Sequence, residues 1–88
     1  MKYTVAISRP AEKALDRMDR SLEHRMRERF RALAENPYDP RISDWMVERP
    51  GARKSRVGGW RILYTVDRGQ LVIFIMTVDT RGQVYKHH

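Results

Sequence analysis

The chain reads as a single α+β domain, and the order of its periodic segments predicts that class. An alternating stretch opens it, a long stretch of helical periodicity follows, and β-branched and aromatic runs separated by turn residues fill the second half. A strand, a pair of helices and then a meander of strands is the order of an α+β domain. At 88 residues, the whole of 1–88 is one domain with one modest core.

Tyr3, Val5 and Ile7 share one face of the first segment and Thr4, Ala6 and Ser8 the other, a period of two that predicts a strand over residues 3–8. Arg9-Pro10 ends it. Pro10 suits the first turn of a helix, where its missing N–H is not needed, and Ser8 is placed to cap that helix. Ala11, Ala14, Leu15 and Met18 then recur at helical spacing. The pattern restarts at Asp19 or Ser21, with Leu22, Met26, Phe30 and Leu33 forming one apolar stripe and Glu23 placed to pair with Arg27. Asn36-Pro37 stops the second helix, because the residue before a proline is pushed out of the α region. His24 lies among arginines on the polar side and reads as a surface residue. These helices predict a hairpin packed on a sheet.

Residues 36–53 form a connection punctuated by proline and glycine. Trp45, Met46 and Val47 within it predict a short extended piece touching the core, with Trp45 packed there. Strands are expected at 54–57, 60–67 and 70–78, separated by Gly58-Gly59 and by Asp67-Arg68-Gly69-Gln70. The run Leu71-Val72-Ile73-Phe74-Ile75-Met76 is apolar at every position, which predicts a strand buried on both faces at the sheet centre. After Arg81-Gly82 a last short extended piece is expected at 83–86.

Composition narrows the function. The chain has no cysteine, so it has neither a disulfide framework nor a thiolate metal site. It has no apolar run long enough to cross a bilayer and no secretory leader pattern, so a cytoplasmic protein without a membrane partner is expected. Its 18 Lys and Arg against 11 Asp and Glu give a net charge of +7, and arginine dominates the basic set. A guanidinium presents a planar fork of donors that matches phosphate and stays charged near neutral pH. Such a surface suits a polyanion, whether RNA, DNA or an acidic protein, as well as plain solvation.

The stretch from Arg53 to Arg61 carries the most chemistry. With Gly58-Gly59 as a two-residue turn, Val57 faces Trp60, Arg56 faces Arg61, Ser55 faces Ile62 and Lys54 faces Leu63. Lys54, Arg56 and Arg61 then project from one face, and Ser55, Val57, Trp60 and Ile62 from the other. Like charges directly opposite one another are destabilising, and an anion between them relieves the repulsion. The same charges also suit an exposed, solubilising hairpin. Tyr85, four residues after Arg81, reads either as an edge-strand aromatic in the core or as a phenol for proton transfer or base stacking. No phosphate-binding glycine loop, zinc-type histidine spacing or nucleophile elbow is present, so any catalysis falls to arginine, lysine and tyrosine.

These segments together resemble the RelE/ParE toxin superfamily over nearly the whole chain. Tyr3-Thr4-Val5-Ala6-Ile7 followed by Ala11-Glu12-Lys13-Ala14-Leu15 resembles its first strand and helix, and Leu33-Ala34-Glu35-Asn36-Pro37 resembles its L-x-x-N-P helix end. Arg56-Val57-Gly58-Gly59-Trp60-Arg61-Ile62-Leu63-Tyr64-Thr65-Val66-Asp67 is similar to the R-V-G-D-Y-R-I-L-Y-x-V-D block, and residues 78–85 to V-x-H-R-x-x-V-Y. The resemblance implies a RelE-like fold, an N-terminal strand and two-helix hairpin on a small twisted antiparallel sheet. It implies a type II toxin of the RelE kind, which enters the ribosomal A site and cuts mRNA by attack of a 2′-hydroxyl on the adjacent phosphate. No metal or cofactor is implied. Lys54, Arg61, Arg81 and Tyr85 match the family's catalytic positions, and Arg53, Lys54, Arg56 and Arg61 its RNA-binding ones. The implied partners are an acidic antitoxin, the ribosome and mRNA, and operator DNA through the antitoxin. A ParE-type toxin that inhibits DNA gyrase, and an inactive remnant acting only as a repressor partner, are the alternatives. The sequence departs from the pattern at Ala52, where a second lysine is common, at Gly59 and Trp60 in place of Asp-Tyr, and at Thr80 in place of histidine.

Overall fold

The computed structural model describes residues 2–80. Arg81, Tyr85 and the extended piece expected at 83–86 lie outside them. The elements are β1 (Thr4–Ile7), α1 (Arg9–Asp16), α2 (Arg20–Glu35), β2 (Asp44–Trp45), β3 (Ala52–Val57), β4 (Trp60–Asp67) and β5 (Val72–Thr80). The strands form one five-stranded sheet in the order β1-β5-β4-β3-β2.

Both helices begin at side-chain caps. The Ser8 hydroxyl accepts from the Ala11 N–H at 3.2 Å and donates to the Met76 carbonyl at 2.7 Å, so one residue starts α1 and ties it to β5. Asp19, not Ser21, caps α2, accepting from the Leu22 N–H at 2.8 Å. The Arg27 guanidinium meets Glu23 at 3.0 Å and Glu12 at 3.2 Å, joining α2 to α1. Glu23 chiefly, with Glu12, holds the Arg27 pKa above its ordinary value. The apolar stripe Met26, Phe30 and Leu33 is buried with Leu15 against Ile62, Tyr64, Ile73, Ile75 and Val78. This core lies on one face of the sheet, and no helix long and apolar enough to cross a membrane occurs among the described residues.

The sheet is antiparallel from β2 through β5, whereas the edge strand β1 runs parallel to β5, with Thr4 opposite Val72 and Ile7 opposite Ile75. A parallel neighbour requires a long crossover, and here the rest of the chain supplies it. The middle position belongs to β4, with β5 beside it and paired on both sides. The run 71–76 was expected to be buried on both faces, yet Phe74 is 41% exposed on the face without helices. Alternation is regular up to Ile75, with Ile73 and Ile75 buried and Phe74 turned outward, and a bulge follows. Tyr64 pairs with Ile75 and Leu63 with Thr77, so Met76 has no opposite number and the alternation of β5 slips by one residue.

Candidate functional site

The β3–β4 hairpin has the register its sequence predicts. Gly58 takes φ +59° in the turn, a conformation that favours glycine. Val57 pairs with Trp60, Arg56 with Arg61, Ser55 with Ile62 and Lys54 with Leu63. Ser55, Val57 and Ile62 are buried on the helix side. Lys54, Arg56 and Arg61 therefore share the opposite face.

The next strand extends this face into two rows, Arg56–Arg61–Asp79 and Lys54–Leu63–Thr77. The Arg61 Nε–H donates to Oδ1 of Asp79 at 3.2 Å, and its Nη2–H to Oδ2 at 3.4 Å. These side chains are only 17% and 26% exposed, so solvent screens the pair less than a surface one. Asp79 thus offsets part of the repulsion between Arg56 and Arg61 from within the protein. Lys54 and Arg56 have no side-chain partner among the described residues. Sequence reasoning missed Asp79, because the Met76 bulge conceals which residue of β5 comes opposite Arg61.

Arg53 was grouped with the RNA-binding residues, but β3 turns it to the other face, where it is 8% exposed. Its Nε–H donates to Ser43 Oγ at 2.8 Å, and its guanidinium lies 4.6 Å from the Trp45 ring centroid and 5.1 Å from that of Tyr38. Ser43 is hydrogen-bonded to the Tyr64 hydroxyl, which donates to the Pro37 carbonyl at 2.7 Å. Burial raises the Tyr64 pKa, and Ser43 and Arg53 partly oppose that rise. Arg53 therefore holds the connection 36–51 against the sheet. Trp45, expected to pack in the core, is 61% exposed on the edge strand β2 and covers Arg53 instead.

Because β2 pairs only with Arg53 and Lys54, the outer edge of β3 is open beyond them. A cleft of about 540 Å3 lies there, with Arg29, Arg41, Asp44, Lys54 and Arg56 among its lining residues. Arg29, which the sequence does not single out, reaches from α2 to donate to Ser55 Oγ at 2.8 Å and to the Arg56 carbonyl at 2.6 Å. Arg41 is held by Asp39 at 2.8 Å, and its hydrogen bonds keep the Asp39 carboxyl below its usual value. The cationic face therefore continues around the edge of β3. Among the described residues, no group of three His, Asp or Glu residues is placed to hold a metal ion.

A helix hairpin on one face of a five-stranded mixed sheet is the α+β fold of the RelE structures. The structure matches a chain of the RelE–RelB complex from Pyrococcus horikoshii with a TM-score of 0.81 at 24% identity, covering 94% of this chain and 99% of that one. It matches a chain of the RelBE2 toxin–antitoxin complex from Mycobacterium tuberculosis at 0.78 and 26% identity, over 92% and 100% of the chains. The YoeB/ParE toxin from Agrobacterium tumefaciens matches at 0.75 with 10% identity, over 89% and 98%. No curated protein sequence matches. The family model for the ParE toxin of the type II toxin–antitoxin system, parDE, matches residues 5–85. The chain belongs to this family, within the RelE/ParE superfamily.

Proposed function

We propose that this toxin is a ribosome-dependent mRNA endoribonuclease of the RelE kind. The observation that carries the reading is the convergence of Lys54, Arg56 and Arg61 on one helix-free face, with Lys54 and Arg56 lacking a side-chain partner among the described residues. In the reaction a ribose 2′-oxygen bonds to the adjacent phosphorus, the P–O5′ bond breaks, and the 2′-hydroxyl proton is balanced by one delivered to the leaving 5′-oxygen. The products are a 2′,3′-cyclic phosphate and a 5′-hydroxyl. Negative charge builds on the phosphoryl oxygens, and fixed cationic donors lower the barrier by binding that charge more tightly than the ground state. Arg61 and Lys54 supply such donors, with Arg56 binding the flanking backbone. By family resemblance Arg81 is a second phosphate-binding arginine and Tyr85 a proton-transfer group. The chemistry requires no metal or cofactor.

The same surface suits an acidic antitoxin that neutralises it. A structure of an Escherichia coli RelE mutant with an antitoxin RelBc peptide, matched at a TM-score of 0.80, supports a partner of this class. Operator DNA would be reached through the antitoxin, and the site of action is the cytoplasm. A second reading, inhibition of DNA gyrase without nuclease activity, is favoured by the matching family model, which is the ParE one.

A reconstituted translation reaction on a defined mRNA, with cleavage ends mapped by primer extension, separates the readings. New ends that require ribosomes, reduced at least about 100-fold in Arg61→Ala, are expected. Intact mRNA together with loss of gyrase supercoiling would establish the second reading.

A further inference from the structure

We propose that Asp79 is a positioning residue for Arg61, an inference that rests on the nuclease reading. Arg56 stands directly opposite Arg61 on one side, and Asp79 stands directly opposite it on the other. Left alone, the two guanidiniums would repel, and the flexible Arg61 side chain would spread into solvent. Asp79 instead grips Arg61 side-on, at 3.2 Å to Nε and 3.4 Å to Nη2. Of a guanidinium's five N–H donors, these contacts use the one on Nε and one on Nη2. The pair on Nη1 and the second proton on Nη2 stay available, in a fixed orientation, for a phosphate over the hairpin. Asp79 is the one carboxylate bonded to a cation of this face among the described residues.

Asp79 has opposing effects on substrate, and they fall on different kinetic constants. Its negative charge repels the RNA backbone, so removing it favours ground-state binding. Its hydrogen bonds orient Arg61, so removing it weakens stabilisation of the transition state. A positioning role therefore lowers kcat without raising KM.

The test is steady-state cleavage of ribosome-bound mRNA, over a range of substrate concentrations, by wild type, Asp79→Ala, Asp79→Asn, Arg61→Ala and the Asp79→Ala/Arg61→Ala double variant. The expected result is a fall of about 10- to 100-fold in kcat for Asp79→Ala, with KM unchanged or lower. Asp79→Asn, which keeps an acceptor of the same shape, should recover part of the rate and guards against a folding defect. The double variant should be no slower than Arg61→Ala alone. Additive losses, or a change in KM alone, would overturn the proposal. An independent measurement is the Arg61 Nε–H resonance, expected to be protected from exchange in wild type and to lose protection in Asp79→Ala. An unprotected wild-type signal would sink the positioning role whatever the activity, whereas a protected signal with no cleavage would count against the nuclease reading alone.

Discussion

A buried cation is usually held by a carboxylate, yet Arg53 is held by rings and hydroxyls. Its guanidinium lies between Tyr38 and Trp45, and Arg53, Ser43, Tyr64 and the Pro37 carbonyl are linked in one chain of hydrogen bonds. None of this was legible from the sequence around Arg53, because its partners come from the connection after α2 and from β4. Alternation alone places it on the helix side, but not what receives it there. Tyr64 gives this arrangement a pH signature. Its pKa is raised in the folded state, so its contribution to stability is fully present below the unfolded value of about 10 and is lost as pH rises through the folded one. Tyr64→Phe should remove that alkaline loss and, near neutral pH, destabilise the fold by about 1–2 kcal/mol by leaving the Pro37 carbonyl without its donor. Urea midpoints of both proteins at about pH 8 and pH 11 check this, and equal alkaline slopes would refute it.

At the scale of elements, the hairpin was the most legible part of the chain. Gly-Gly supplies the turn geometry, and alternating flanks leave one register that buries Val57 and Ile62. Ser8 and the stripe from Leu22 to Leu33 were equally plain, because capping and helical spacing are local properties. The parallel edge was not, since Thr4 and Val72 meet only when the whole chain has folded. Gly58→Ala places a side chain at φ +59° and should lower stability by about 1–2 kcal/mol. Space is not the constraint, because the nearest atoms to an added Cβ are the Arg25 guanidinium nitrogens at 3.8 and 3.9 Å. Gly59→Ala, with φ outside that region and no atom within 4 Å, should change stability by under about 0.5 kcal/mol. Equal effects of the two variants, read as thermal midpoints, would contradict this assignment of the turn.

Over the whole molecule, the net charge of +7 suits the proposed polyanion partner, while the fold determines which charges are free to meet it. Arg27 and Arg41 are engaged by carboxylates, Arg53 is buried, and Arg61 is shared with Asp79. On the helix-free face of the hairpin, Lys54 and Arg56 have no such partner among the described residues. Binding to single-stranded RNA should therefore depend unequally on them. In a salt series followed by fluorescence anisotropy, Lys54→Ala and Arg56→Ala should each reduce the slope of log K against log salt by about 0.7. Arg61→Ala should reduce it by less, because Asp79 already neutralises that charge. The same slope change for all of them would mean that the Arg61–Asp79 pair opens when RNA binds.

The unmatched residue in β5 also bears on how such a protein can change over time. Met76 sets the parity of everything after it, so that Val78 joins the core and Asp79 meets Arg61. Were Met76 paired with Leu63 instead of bulged, those roles would be exchanged, sending the carboxylate toward the helices and the valine toward the helix-free face. A lineage carrying this arrangement can vary the length of its 36–51 connection and can lose the bulged residue of β5 without disturbing the pairing on either side, whereas a codon gained or lost elsewhere in that strand turns every residue beyond it to the opposite face.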